Sequence, residues 1–496
     1  MKRRPESAAS SEAPAPELVD AGFALEVGDA IFLHDGLNLA DIAHVLVLRE
    51  QEIIPDDAAR RLLALILEVV RQPAEAFPYD PAYGDPYNCR ERYFAERLAN
   101  DAGWLHAGRP RREAGRMAFR LGLRRQVVGL MADTASFADA TAVLADQHAE
   151  TLFADQTYLQ QAQPSTFGHF ALTFAFPALR DVDRLANCLD WVNRSPGGAG
   201  CVNGSRLAVS RDREAELLGF RGVIEHTRDA MWQTDGLVDL LATGTDLLLN
   251  MSKLAEDLEI WDSQEFDFVD LAGPYTRASV LMPQKRNPYS LSIVRGAAGT
   301  LIGRLAGFLA VVKSPSARTD NLIFAYGEIP RSLEFAAKVT RLMTGVVASL
   351  QVNQDRMWES LESGFSQATD LAEWVMQTCG VDYRTAYLVV GDAVRGASRE
   401  GLRGVDLTGE MLDAAAREKV GVDLGLSGRD LTEVLDPRAI VLTRDSPGGA
   451  APDVVRAMAA DCRRTASRGR ERALVEGQAM DAAEAELLNL AEQACA

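Results

Sequence analysis

Residues 273–296 read Gly-Pro-Tyr-Thr-Arg-Ala-Ser-Val-Leu-Met-Pro-Gln-Lys-Arg-Asn-Pro-Tyr-Ser-Leu-Ser-Ile-Val-Arg-Gly, and three of them can do chemistry together. Ser279 offers a hydroxyl, Lys285 a cation and Asn287 an amide. A serine becomes a base only where its alkoxide is stabilised, and Lys285 with the N–H groups of a Gly/Ser/Pro-rich loop can supply that field. A base beside cations is what proton removal next to a carboxylate requires. Taken alone, the stretch also admits a plainer reading, in which Ser279 caps the helix restarting after Pro288 and Lys285 is solvated. Lysine is scarce, six against 46 arginines, so a lysine in this loop is not background.

Long helices must position such a loop. Leu237, Leu240, Leu241, Leu247, Leu248, Met251, Leu254, Leu258 and Trp261 recur at three, four and seven, painting one face of a helix. Arg120 to Leu152 and Phe167 to Trp191 behave similarly, and another helix begins at Ser290 and runs to Val312. Asn193-Arg-Ser-Pro-Gly-Gly-Ala-Gly breaks two of them. Strand signals are scarce. The reading is all-α: a disordered leader over 1–20, an N-terminal helical domain over 21–117, a central long-helix bundle over 118–368 and a small C-terminal helical domain over 369–496. Helices this long need more partners than one subunit provides, which predicts a homo-oligomer, a tetramer.

The chain has 496 residues, 47% of them apolar, enough for several packed units. A net charge of −19 argues against nucleic acid as a partner. Six cysteines lie far apart without a CxxC pair, and six histidines show neither HxxxH nor HxH spacing, so no disulfide framework or zinc site is expected. No stretch reaches 18 uninterrupted apolar residues, and residues 5–20 do not read as a signal peptide. The expected setting is cytoplasmic, with no membrane partner.

The 273–296 stretch resembles the signature loop of the fumarase, aspartase and argininosuccinate lyase superfamily, whose usual form is Gly-Ser-Ser-x-x-Met-Pro-x-Lys-x-Asn-Pro. Other segments narrow the resemblance to argininosuccinate lyase, over roughly residues 35–460. Leu105-His-Ala-Gly-Arg-Pro-Arg-Arg-Glu resembles that family's Leu-His-Thr-Gly-Arg-Ser-Arg-Asn-Asp. Thr157-Tyr-Leu-Gln-Gln-Ala-Gln-Pro resembles Thr-His-Leu-Gln-x-Ala-Gln-Pro. Gly364-Phe-Ser-Gln-Ala-Thr-Asp-Leu-Ala-Glu-Trp-Val, Gly380-Val-Asp-Tyr and Ser446-Pro-Gly-Gly-Ala-Ala-Pro resemble its C-terminal segments. The resemblance implies that Ser279 is the base and that Lys285 and Asn287 hold the enolate-like intermediate. It makes Arg111, Thr157, Lys285, Asn287 and Asn88 grip the fumarate half of a small carboxylate substrate, with Arg112 and Gln160 beside them. No metal or organic cofactor is implied.

Several positions depart from that pattern. The second loop serine is Val280. The family's histidine after the threonine is Tyr158 and its glutamate partner is Ser292, so the pair is lost as a unit. Tyr158, helped by His169, becomes the expected proton donor to the departing group, unless it only fills the hole. Asp41, Pro110, Arg112, Tyr326-Gly-Glu-Ile-Pro-Arg331 and Trp232-Gln-Thr-Asp rewrite positions around the leaving group. Asp41, Tyr326 and Arg331 are expected to line that side, with Arg112 and Arg331 disfavouring a guanidinium and Asp41 pulling the other way. The expectation is β-elimination from a substituted succinate or aspartate other than argininosuccinate. Two alternatives stand beside it: an enzyme of specialised metabolism that runs the addition or expels a nitrogen oxide or hydrazine, and a non-catalytic descendant kept as a structural partner.

Overall fold

A computed structural model describes residues 13–318 and 320–495. Its central core joins the helices Arg111–Gln147, Phe167–Val192, Asp235–Trp261, Tyr289–Val312 and Ala325–Ala348. Every apolar residue of the stripe from Leu237 to Trp261 is buried there. Burying one such leucine is worth about 1.5–3 kcal/mol, so the stripe fixes which face of that helix turns inward. The fold is all-α, built on a bundle of long helices, as expected.

The first bundle helix begins just after Pro110 and carries three buried arginines, one per turn, that tie down the ends of other helices. Arg116 donates to the Met231 carbonyl at 2.6 Å, Arg120 to Trp191 at 2.7 Å and Arg124 to Leu218 at 2.8 Å. Those carbonyls stand at helix C-termini, where a cation is favourable. Burial still pulls the guanidiniums down, Arg116 and Arg124 to about 10 and Arg120 to about 9. Two helices, Arg111–Gln147 and Tyr289–Val312, are long and apolar enough to cross a membrane by length and composition alone. The arginine-bearing one is the post of the bundle.

Three expectations need correction. Residues 1–12 lie outside the described residues, but Pro16–Leu18, Val19–Phe23 and Ala24–Gly28 are helical, so the leader does not extend to residue 20. The helix expected to reach Leu152 stops at Gln147. An antiparallel hairpin follows instead, Leu152–Thr157 against Gln160–Thr166. Residues 369–496 are not one small domain. A separate core spans Leu371 to Leu435, whereas the helix Pro452–Cys495 runs 44 residues back along the bundle. Its end reaches the N-terminal domain, where Leu487, Ala491 and Ala494 complete the core of His34–Glu50 and Asp56–Val70.

Candidate active site

The residues of the 279–287 loop are held by a short ribbon in which Arg277–Ala278 pairs with Arg286–Asn287. The Ser279 N–H donates to the Lys285 carbonyl at 3.3 Å, and the Lys285 N–H to the Met282 carbonyl at 3.0 Å. Asn287 Nδ2 donates to the Arg277 carbonyl at 2.8 Å, and Arg286 is ion-paired with Asp270. Ser279 Oγ accepts the Met282 N–H at 3.0 Å. It therefore caps its own turn, not the helix Tyr289–Val312, and its oxygen already faces a donor that would favour negative charge. Ser279 is half-buried and Lys285 is exposed, and Lys285 makes no ion pair among the described residues. Ser292, at the position of the lost glutamate, donates to Glu259 at 3.3 Å.

A second group sits on the hairpin. Tyr158 and Leu159 form its two-residue turn with φ of 55° and 57°. Both are left-handed, a conformation that Gly and Asn tolerate and a bulky residue adopts at a cost of order 1 kcal/mol or more. The turn projects the Tyr158 ring almost wholly into solvent, 99% exposed, with Thr157 and Gln160 exposed beside it. Tyr158 thus fills no hole in its own subunit. His169 Nε2 lies 3.0 Å from the Gly448 carbonyl and donates to it, so that nitrogen fastens the 444–451 turn.

The third group lies between the N-terminal domain and the bundle. A cavity there is lined by Glu26, Asp29, Asp85, Arg111, Arg112 and Tyr326, with Leu33, Leu37 and Ile323 as its apolar wall. Arg111 donates to Asn88 Oδ1 at 3.0 Å and lies 3.4 Å from Asp85. Arg112 pairs with Glu26 at 3.2 Å, and Arg331 with Asp29 at 2.6 Å. Burial raises the carboxyls of Glu26 and Asp29, and the arginines oppose it. The Tyr326 hydroxyl is buried and meets no hydrogen-bond partner among the described residues. Burial pushes its pKa up, against the pull of Arg116 and Arg112.

Asp41 does not belong to this cavity. It is wholly buried, with one carboxylate oxygen held by Arg90 at 2.7 Å and the other by Arg109. Two cations keep its pKa low despite the burial. The resemblance implied a place for Asp41 beside the leaving group, whereas the geometry is a closed ion triad. The charge argument about the leaving group also changes. Arg112 and Arg331 each face a carboxylate, so they do not present free positive charge against a guanidinium. Glu26, Asp29 and Asp85 went unnoticed in the sequence because nothing at those positions signals the arginines that reach them from Arg111, Arg112 and Arg331.

Within one subunit the three groups stay apart. No hydrogen bond or ion pair among the described residues joins the 279–287 loop, the 157–160 turn and the 26–112 cavity.

Comparison with known proteins locates this arrangement. A family model described as Lyase matches residues 52–303, and one described as Argininosuccinate lyase C-terminal matches residues 365–442. The argininosuccinate lyase of Methanothrix thermoacetophila is 33% identical over 424 residues, covering 85% of this chain and 85% of that protein. That of Methanococcoides burtonii is 32% identical over 445 residues, covering 89% and 88%. Among solved structures, EDDS lyase in complex with formate is 26% identical with a TM-score of 0.86, covering 98% of this chain and 97% of that one. Class II fumarase from Schistosoma mansoni shares the fold alone, 14% identical with a TM-score of 0.69 over 85% of this chain and 95% of that one. Fold and serine loop together define an α-helical lyase of the fumarase/aspartase superfamily. The chain belongs to the argininosuccinate lyase family and is a carbon–nitrogen lyase.

Proposed function

We propose that this lyase eliminates an amine from an N-substituted aspartate-type acid and releases fumarate or an analogue, working as a cytoplasmic homotetramer. The observation that carries the reading is Ser279 Oγ on an exposed loop, already accepting the Met282 N–H and followed by Lys285, which has no ion-pair partner among the described residues. As alkoxide, Ser279 takes the proton from the carbon beside the distal carboxylate. The electron pair enters that carboxylate as an enediolate, which Lys285 and Asn287 stabilise. It then returns to form the C=C bond as the C–N bond breaks, and nitrogen leaves with the bonding pair. Tyr158, at the end of the strained turn, supplies a proton to it. Arg111, Arg112, Asn88, Thr157 and Gln160 orient the carboxylates.

The separation of the three groups supports a site assembled from several subunits. So does the helix Tyr289–Val312, which leaves Tyr289, Ile293, Ile302 and Leu309 exposed on its surface. Gly296, Gly299, Gly303 and Gly307 lie along the same helix with open space at their Cα atoms, so another helix can approach closely.

The cavity with Tyr326, bordered by the Arg331–Asp29 pair, takes the leaving group. Its arginine–carboxylate pairs suit an amine that carries charge of its own, and the likeness to EDDS lyase favours a leaving group other than arginine. A second reading, argininosuccinate itself, is favoured by Glu26, Asp29 and Asp85, three carboxylates that can face a guanidinium. A panel of N-substituted aspartates, argininosuccinate among them, assayed by fumarate absorbance decides between the two. Failure to release fumarate from any member at millimolar concentration refutes both.

A further inference from the structure

Beneath Arg111 and Arg112 lies a buried acid–base network that the elimination chemistry does not use. Residues 105–113 carry those arginines and are fastened at three points. The Ala107 carbonyl lies 3.0 Å from His44 Nε2. Arg109, buried, donates to Asp41, to the Ala40 carbonyl at 3.0 Å and to the Tyr87 hydroxyl at 3.2 Å. Glu113 accepts the N–H of Gly198 at 2.7 Å and of Gly200 at 2.6 Å. Both glycines have positive φ, 68° and 62°, which turns their amides toward that carboxylate.

One of these fastenings depends on a proton. The other nitrogen of His44, Nδ1, lies 3.2 Å from Glu214 Oε1, and both side chains are shut off from solvent. A carbonyl can only accept, so Nε2 must carry hydrogen to bond Ala107. The Nδ1–Oε1 contact then needs a second hydrogen, on the ring or on the carboxyl. When one of the two is lost, the stronger remaining bond is from Nδ1–H to an ionised carboxylate. Nε2 is then bare against the Ala107 carbonyl, and that fastening is gone.

Other charged groups surround the pair. Arg109 and Glu113 face it from the 105–113 segment, and Asp41 from His44's own helix. Arg90 and Tyr87, on the helix Pro86–Leu98, act through Asp41 and Arg109. The backbone of Gly197, bonded through its N–H to Ser195 Oγ, lies directly against Glu214 Oε2. Burial, then Arg109, lowers the basicity of His44. Burial and Glu214 push Glu113 up to about 8.

We propose that His44 and Glu214 are positioning residues whose shared proton fastens the segment bearing Arg111 and Arg112, so that substrate binding weakens as pH rises while the chemical step does not. The part concerning substrate rests on the reading that those arginines bind it. The sign follows from the count: the doubly protonated pair exists on the acid side and is lost as pH rises through its titration.

Glu214→Gln tests this, because its amide N–H donates to Nδ1 without titrating. KM and kcat are measured from about pH 4 to about pH 8, a range that reaches well below the ordinary histidine value because burial and Arg109 lower His44. Hydrogen exchange of the peptide spanning 105–113 is followed in parallel, with variant and wild type compared at each pH. In the wild type KM rises about tenfold across the range, the effect of one lost hydrogen bond, with the ratio of kcat between the two proteins constant. Exchange of the peptide rises with KM. In Glu214→Gln both are flat relative to wild type. Glu113→Gln, which removes the neighbouring titrating carboxyl, keeps the wild-type slope. A wild-type slope in Glu214→Gln, or a flat profile in Glu113→Gln, overturns the proposal. Should Glu214→Gln fail to assemble, wild-type protection of 105–113 that does not change with pH overturns it too. Exchange that tracks pH beside a KM that does not would refute the substrate role of Arg111 and Arg112 and leave the fastening standing.

Discussion

Replacing Tyr326 by Phe should make the subunit more stable and the enzyme worse at the same time. The Tyr326 ring is 5% exposed and packs edge-on against Phe119 with centroids 5.0 Å apart, a contact that phenylalanine keeps. Only the hydroxyl disappears, and that hydroxyl has no partner among the described residues. An unsatisfied buried polar group costs roughly 1–3 kcal/mol, so its removal should return about 1 kcal/mol per subunit. With about 2.1 cal/mol/K of unfolding entropy per residue, a chain of this length has about 1 kcal/mol/K in total, and Tm should rise by about 1 °C. Scanning both proteins at one concentration keeps assembly from confusing the comparison. If the hydroxyl awaits the leaving group, kcat/KM should fall about tenfold, the worth of one hydrogen bond in a dry cavity. A lower Tm, or an unchanged kcat/KM, refutes the reasoning.

Ser279→Ala should cut turnover by about 10²-fold to 10⁴-fold or more with circular dichroism and assembly unchanged, and near-normal rates would remove Ser279 as the base. Asp41→Ala should cost about 3–5 kcal/mol, because Arg90 and Arg109 are left buried and unpaired. An Asp41→Ala protein that melts normally but changes its substrate preference would return Asp41 to the site. Light scattering should find a tetramer at micromolar concentration, and a stable monomer would break the composite-site reading. Argininosuccinate should turn over far more slowly than the best member of the substrate panel, and comparable rates would restore it as the substrate.

The bundle was legible because its helices bury large apolar residues at regular spacing, as Leu237 to Trp261 do. The helix Pro452–Cys495 was not, because between Val455 and Met480 its buried stripe is Ala459, Cys462, Ala466, Gly469 and Ala473, small residues that look like any alanine-rich stretch. The hairpin escaped notice for a different reason. A two-residue turn normally advertises itself with Asn or Gly, and this one is Tyr158-Leu159. The 279–287 loop could be singled out from residue types, since Ser279, Lys285 and Asn287 are local in sequence. The cavity could not. Nor could the closed triad outside it, where Asp41 sits 49 residues from Arg90 and 68 from Arg109 and no local pattern announces that they close on one another. Charge likewise misled until Glu26 and Asp29 were seen beside Arg112 and Arg331.

The return of the helix Pro452–Cys495 to the first domain bears on how the chain is made. Arg49 donates to the Ala494 carbonyl at 3.3 Å across a separation of 445 residues. Leu487, Ala491 and Ala494 fill the core that the earliest helices begin. A ribosome therefore releases those helices with one wall of their core missing, and it stays missing until Leu487 to Ala494 emerge. Early domains usually finish folding during synthesis. Here the nascent N-terminal domain must wait, with Leu46, Leu63 and their neighbours open to a chaperone or to another unfinished chain. Cleavage ahead of Leu487 would return the folded subunit to that unfinished state.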